Sequence, residues 1–327
     1  MERLDYVIAN HTEQDHSGSL PDVLAAYPEA RVVTNAKCKA MLIDHLHLPE
    51  DRFVVVGDEE TLSLGDKTLV FKLAPWVHWP ETMFTYLVED KILFPCDFLG
   101  SHFATSELFA TQEREIYLAA KRYYAEIMMP FRNHVQKHLE YVEKLPLAFI
   151  APSHGPVYHR PEFILNAYRD WSSDQVKNEA LIAYVSMHGS TARMVEHLVE
   201  ALIDRGIKVT PFNLTRTDLG ELAMALVDAA TVVLGVPTVL GGPHPSALYA
   251  AYLVGALRPK TRLVGLIGSY GWGGRTAEVV AELLKPLKAE FLEPVLVKGL
   301  PRAEDLEKLE GLAEAIAQRH REWELLA

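Results

Sequence analysis

Cysteine is almost missing from this chain. Cys38 and Cys96 are the only two in 327 residues, which excludes a disulfide framework and agrees with a reducing cytoplasm. Positive charge is short as well. Lys and Arg total 32 against 44 Asp and Glu, a formal net charge of −12. A nucleic-acid partner is disfavoured on that balance, because affinity for a phosphate backbone comes from Lys and Arg neutralising it. No apolar run approaches the roughly 18 residues of a membrane span. The opening MERLDYVIANH carries charge and then a brief apolar stretch, unlike a secretory signal. Amides are few, 6 Asn and 5 Gln, a depletion of thermolabile residues that heat-adapted proteins share.

What remains is ordinary for a soluble globular protein, with 49% apolar and 23% charged residues and enough length for two domains. Histidine is uneven: of 14, ten fall before residue 160. The first part therefore reads as the metal-handling part.

Short apolar runs bounded by Gly, Pro, Asp and Asn (DYVIAN, ARVVTN, RFVVVG, KTLVFKLA, KILFPCD) read as strands in that part, with helices over 113–128 and 134–145. The polar, mixed stretch 159–179 reads as ending in a linker, giving domains 1–175 and 176–327. Beyond it, EALIAYVS opens a strict alternation of strand and helix up to a terminal helix from about 302, which predicts a doubly wound, five-stranded parallel sheet.

Three loops at the strand ends of that sheet suggest a ligand. SMHGSTARM stands where the first strand turns into a helix, so a helix N-terminus and the hydroxyls of Ser186, Ser190 and Thr191 can meet a phosphate, with Gly189 permitting close approach. It fits neither a GxxxxGK[ST] nor a GxGxxG pattern, which disfavours ATP and dinucleotides. An ordinary helix cap reads the same way. GVPTVLGGPHP and GSYGWGG follow the third and fourth strands, at the edge where such sheets bind ligands. Together the loops resemble the FMN site of flavodoxins. That resemblance implies phosphate contacts from Ser186, Met187, His188, Gly189, Ser190 and Thr191. It places the flavin ring among Pro237, Thr238, Gly241 and Gly242 on one side and Ser269, Tyr270, Gly271, Trp272 and Gly273 on the other. Trp272 reads equally as a core anchor.

In the first part, NHTEQDH concentrates His11, Glu13, Asp15 and His16, and His78, Asp97 and His154 each follow an apolar run. The order His-x-Glu-x-Asp-His … His … Asp … His resembles the metallo-β-lactamase superfamily with glutamate in place of the second histidine. Added carboxylate hardens an imidazole site and favours iron, although carboxylates also hold zinc.

Over essentially its whole length, in the motifs NHTEQDHSGSLP, HWPETM, SHGP, SMHGST and GSYGWGG, the chain resembles the flavodiiron proteins. The resemblance implies a metallo-β-lactamase-like αββα sandwich followed by a flavodoxin-like domain. It implies two iron ions, one held by His11, Glu13 and His78, the other by Asp15, His16 and His154, with Asp97 between them. Asp15 also reads as an outer group that orients a histidine. Tyr124 resembles a family tyrosine at the open face of the metals, or else packs a helix. The family reduces dioxygen to water, nitric oxide to nitrous oxide, or both. It works as a head-to-tail homodimer or dimer of dimers, fed by a small donor such as rubredoxin or a rubredoxin reductase system; two cysteines cannot supply a rubredoxin site within the chain. Family members carry several dozen residues before this first motif, whereas ten precede His11 here, so the first sheet is expected to be incomplete, with an exposed edge. Two other functions stay open on the residues alone: a zinc hydrolase with a regulatory flavodoxin domain, and an FMN electron carrier with an inactive metal site.

Overall fold

In the computed structural model, which describes residues 2–326, the chain divides into two compact units, one ending at Ser173 and the next beginning at Asp174.

The first unit begins with β1 (Tyr6–Ile8), α1 (Gln14–Ser17), α2 (Leu20–Ala26), β2 (Arg31–Thr34), α3 (Ala36–Leu46) and β3 (Phe53–Val55). The strands form a parallel sheet in the order β1-β2-β3. Alternation along β2 gives the sheet two apolar faces. Val32 packs with Leu24 and Leu42 of the helices, while Val33 turns to Phe71 and Met83 of a second sheet. That sheet is built from β4 (Thr61–Ser63), β5 (Thr68–Leu73), β6 (Met83–Leu87) and β7 (Ile92–Phe94), then, after α4 (Glu113–Tyr123) and α5 (Arg132–Val142), β8 (Phe149–Ile150). Its order is β4-β5-β6-β7-β8, antiparallel except for the last pair. On its other face Phe84 meets Phe98 and His138 of α5, at 5.4 and 5.9 Å between ring centroids. The layers are helix, sheet, sheet, helix.

A last helix, α6 (Pro161–Ser172), occupies most of the stretch expected to lead into a linker. Its apolar residues are scattered among polar ones, which reads as a loop in linear order. At helical spacing, however, Ile164, Tyr168 and Trp171 share one buried face.

The second unit runs β9 (Lys177–Tyr184), α7 (Ser190–Asp204), β10 (Lys208–Asn213), α8 (Leu219–Leu226) and β11 (Ala229–Gly235), then a small hairpin of β12 (Thr238–Val239) and β13 (Gly242–Pro243). It continues α9 (Pro245–Leu257), β14 (Leu263–Tyr270), α10 (Thr276–Leu284), β15 (Glu290–Phe291), β16 (Val295–Lys298) and α11 (Ala303–Glu322). The sheet is parallel in the order β10-β9-β11-β14, with β15 and β16 both on β14. These two are one fifth strand interrupted at Leu292–Pro294; a proline cannot donate to the ladder. Helix α11 is pinned to the sheet by fully buried His320, whose Nδ1 lies 2.8 Å from Asn178 Oδ1 and Nε2 2.7 Å from Thr231 Oγ1. Burial pushes this imidazole down to about 4.

Candidate functional site

Every residue of the metal motif leaves a strand end of the first unit. Beyond β1, Ala9 N–H donates to the Val33 carbonyl at 3.0 Å, which delivers His11 to the sheet edge. Glu13 stands at the N-cap of α1, and this single turn brings Asp15 and His16 round beside it. His78 lies between β5 and β6, Asp97 follows β7, and His154 follows β8. The last two loops are locked together: Ser101 N–H donates to the His154 carbonyl at 3.0 Å, and Gly155 sits at φ 90° where any Cβ would collide with Ser101 Oγ.

The structure brings all seven side chains together around Asp97. Its Oδ2 lies 3.3 Å from His11 Nε2 and 3.2 Å from His78 Nε2; its Oδ1 lies 2.9 Å from His16 Nε2 and 3.2 Å from His154 Nε2. Glu13 Oε2 closes the first group, 3.2 Å from His78 Nε2, and Asp15 Oδ2 closes the second, 3.2 Å from His154 Nε2. Donor atoms of His11, Glu13, His78 and Asp97 lie within 4.8 Å of one another, as do those of Asp15, His16 and His154.

Both Asp97 oxygens and His16 Nε2 are buried without a hydrogen bond. Contact distances without hydrogen-bond geometry mean that lone pairs converge on shared points, the arrangement a cation needs. Two such points share one carboxylate, and the donors, imidazole with carboxylate, suit iron or zinc. Burial alone would raise the Asp97 carboxyl, but the imidazoles of His154, His16 and His78 hold it far below the usual range. Burial lowers His16, yet the Asp97 carboxylate prevails and raises it; the same carboxylate raises His154. Cys96 also approaches His16 and Asp97, but burial and the Asp97 charge push its thiol well up, so it stays protonated.

A second layer holds the first. His11 Nδ1 lies 2.6 Å from Glu81 Oε1, which also accepts from Thr12 N–H at 3.1 Å and from the Thr12 hydroxyl. These bonds overcome burial and bring the Glu81 carboxyl down to about 2. With Nδ1–H committed to Glu81, His11 keeps the Nε2 lone pair for a metal. The sequence reading passed over Glu81, though a carboxylate three residues past His78 in HWPETM was its signal.

Tyr124 is placed away from the cluster, among Tyr168 and Trp171, with its hydroxyl donating to the Trp171 carbonyl at 3.3 Å. The tyrosine beside the cluster is its neighbour Tyr123, 5.9 Å from His154 and 4.7 Å from His102 between ring centroids. Consecutive helical residues diverge by roughly 100°, so one position decides which ring meets the site. Ile116, Ala120 and Tyr123 form the buried stripe of α4, the periodicity that points to Tyr123.

In the second unit a cleft of about 290 Å³ lies at the C-terminal ends of the strands. Ser186, Met187, His188, Ser190 and Thr191 line one side, with Gly189 at φ 88° as the N-cap of α7. Ser186 Oγ accepts from Ala192 N–H at 3.1 Å, and Thr191 Oγ1 lies 3.1 Å from Ser269 Oγ. Pro237, Thr238, Val239, Ser269, Tyr270 and Gly271 line the rest, with Gly299, which the sequence reading left out. Gly241, Gly242, Trp272 and Gly273 fall in the flanking loops, outside the lining itself. Those loops are tied by Arg275 N–H donating to the Gly241 carbonyl at 2.8 Å. Trp272 is 80% exposed, so it anchors no core.

Residues 1–155 match the family model described as ODP family beta lactamase, and residues 182–311 match Flavodoxin. A nitric oxide reductase of Moorella thermoacetica is 37% identical, the alignment covering 97% of this chain and 81% of that protein. The chain belongs to the flavodiiron protein family. Two solved flavodiiron relatives superpose over nearly all of it. Rubredoxin oxygen:oxidoreductase from Desulfovibrio gigas has a TM-score of 0.93 at 30% identity, covering 97% of this chain and 81% of its own. The flavodiiron protein of Giardia intestinalis has a TM-score of 0.90 at 28%, covering 96% and 79%. Among the described residues no helix is long and apolar enough to cross a membrane.

Proposed function

We propose that this flavodiiron protein is an oxidoreductase that reduces dioxygen to water, nitric oxide to nitrous oxide, or both, with two iron ions and FMN as its cofactors. The observation that carries the reading is the shared carboxylate: Asp97 turns one oxygen to His11 and His78 and the other to His16 and His154. Such an arrangement suits a redox-active metal pair acting on one diatomic molecule. When bound, the irons and the flavin supply the electron chemistry. The protein supplies position. His11, Glu13 and His78 would hold one iron, Asp15, His16 and His154 the other, and Glu81 fixes the tautomer of His11. The SMHGST turn would take the FMN phosphate, with Thr238 and Tyr270 along the ring.

The metal cluster and the cleft belong to different units, which favours a head-to-tail homodimer pairing one chain's flavin with its partner's irons. Support comes from the apolar rim of the cleft, where Met187, Leu240 and Trp272 are 53%, 95% and 80% exposed, a surface suited to cover by a partner. The electrons come from an external donor of the rubredoxin kind. The names of the relatives, a nitric oxide reductase and a rubredoxin oxygen:oxidoreductase, support both substrates and that donor. The test is anaerobic preparation with iron and FMN measured per chain, then uptake of each gas by the reduced protein. Zinc without iron, with no uptake of either gas, would overturn the reading.

A further inference from the structure

Trp171, Tyr123, Tyr124, Tyr158 and Tyr168 head the largest fully buried side chains, and all belong to the first unit. None is among the metal-ligand candidates. All but Tyr158, which packs on Phe163, form a run rather than a scatter. Tyr123 packs 5.9 Å from His154 and is followed in the chain by Tyr124, which stands 5.6 Å from Trp171 between ring centroids. Tyr168 bridges the same two residues, at 5.3 Å from Tyr124 and 5.5 Å from Trp171. Trp171 in turn lies 5.2 Å from Tyr117 and donates its Nε1–H to Tyr117 Oη at 3.1 Å. Tyr117 is partly exposed, so the run begins against a ligand of the metal cluster and ends at solvent.

Packing alone explains this poorly. Phenylalanine would fill the same volume at position 168, yet a tyrosine is buried there with no side-chain partner for its hydroxyl. Tyrosine and tryptophan differ from phenylalanine in one further respect: their rings give up an electron far more readily. Electron tunnelling falls off steeply with distance, so rings in van der Waals contact, or joined through one peptide unit as Tyr123 and Tyr124 are, pass an electron in short hops.

We propose that Tyr123, Tyr124, Tyr168 and Trp171 form a hopping path through which the metal centre, oxidised by dioxygen while the flavin has no electron to give, draws one from Tyr117 at the surface. The inference rests on the reductase reading above. One electron moves inward and reduces the metal centre by one. Tyr117 loses that electron and its phenolic proton; because its oxygen already accepts from Trp171, the proton leaves to solvent. The neutral Tyr117 radical then takes an electron and a proton from a thiol in solution, and two such events join two thiols in one disulfide. Oxidising power is thereby discharged at a replaceable surface position instead of at the ligands.

The test uses the iron- and FMN-loaded protein, reduced and then mixed with dioxygen without donor and freeze-quenched for electron paramagnetic resonance. A tyrosyl or tryptophanyl radical is expected in the wild type, with peptide mapping placing oxidation at Tyr117 and Trp171. In Trp171→Phe and in the milder Tyr117→Phe the radical at position 117 is lost. Inactivation per donor-free exposure rises several-fold, while gas uptake with excess donor stays at the wild-type rate. A wild type without any ring radical, or variants that survive donor-free exposure as well as the wild type, would overturn the path. If the wild type consumes no dioxygen, the reductase reading has failed instead. The path is then read by flash photo-oxidation with a soluble ruthenium sensitiser: a tryptophan radical that converts to tyrosyl, and does so in neither variant, supports it, and one that decays without conversion overturns it.

Discussion

The two candidate sites are built from opposite materials. The metal cluster is made of side chains, seven charged or lone-pair-bearing groups brought from four segments at strand ends and turned inward around buried Asp97. The candidate flavin cleft is made largely of backbone and hydroxyls, from four loops that face solvent at one sheet edge. A site of converging side chains depends on each of them and on the layer behind it. A site of backbone depends on loop conformation, and single side chains matter less. The difference follows from the ligands: bare cations need several lone pairs at fixed angles, whereas a flavin phosphate is satisfied by peptide N–H groups.

The comparison can be broken most directly at its strongest point. Asp97→Asn removes the shared carboxylate, and iron per chain and gas uptake should both fall by roughly two orders of magnitude or more, since even outer partners of a metal site are worth 10–100-fold. Retention of both irons, measured by elemental analysis, would show that the two groups do not depend on Asp97.

Next in size is a pH effect confined to the second unit. His320, held down to about 4 by burial, takes up a proton more readily when unfolded, where it titrates near 6.5. Its stability contribution is therefore complete above about pH 6.5 and is lost as pH falls toward 4, on the order of 3 kcal/mol in all. Urea titrations of the second unit across that range should show the slope, and His320→Gln should flatten it.

Glu81→Ala sharpens the claim about the layer behind the metals. Freed from its anchor, His11 should hold metal about 10–100-fold more weakly, read by chelator competition, with FMN affinity unchanged. In the cleft, Gly274→Ala should weaken FMN by about tenfold and leave iron alone. Gly274 has φ 151°, and a Cβ there would sit 2.8 Å from the Gly241 carbonyl oxygen, so strain of about 1–3 kcal/mol falls on the loop. The smallest effect belongs to Trp272→Ala: loss of a ring stacking of about 0.5–1.5 kcal/mol in FMN affinity by fluorescence titration, with thermal stability unmoved because the side chain is exposed.

Much of the architecture was legible because its signals are local. Alternating strand and helix in the second half announced a parallel sheet, and the loops at its strand ends are the ones that line the cleft. The interruption of the fifth strand was not legible, since Val295–Lys298 and Glu290–Phe291 each read as part of one run. Helix α6 was hidden because its apolar residues are sparse in linear order and form a face only once coiled. The choice between Tyr123 and Tyr124 escaped for a related reason: both are fully buried, and the spacing of Ile116, Ala120 and Tyr123 marks a buried face only once the helix is read as coiled.

By itself the sequence determined the inventory: which residues can ligate, which loops can cradle a phosphate, and where one kind of chain pattern gives way to another. These depend on residue chemistry and on periodicities within a few turns. Only the tertiary structure decided that residues as distant as His11 and His154 share one carboxylate, that Glu81 rather than any other acid stands behind His11, and that the rings of Tyr124, Tyr168, Trp171 and Tyr117 touch in series. Such contacts arise from how two sheets and their helices pack, and packing is a property of the whole core rather than of any stretch of it.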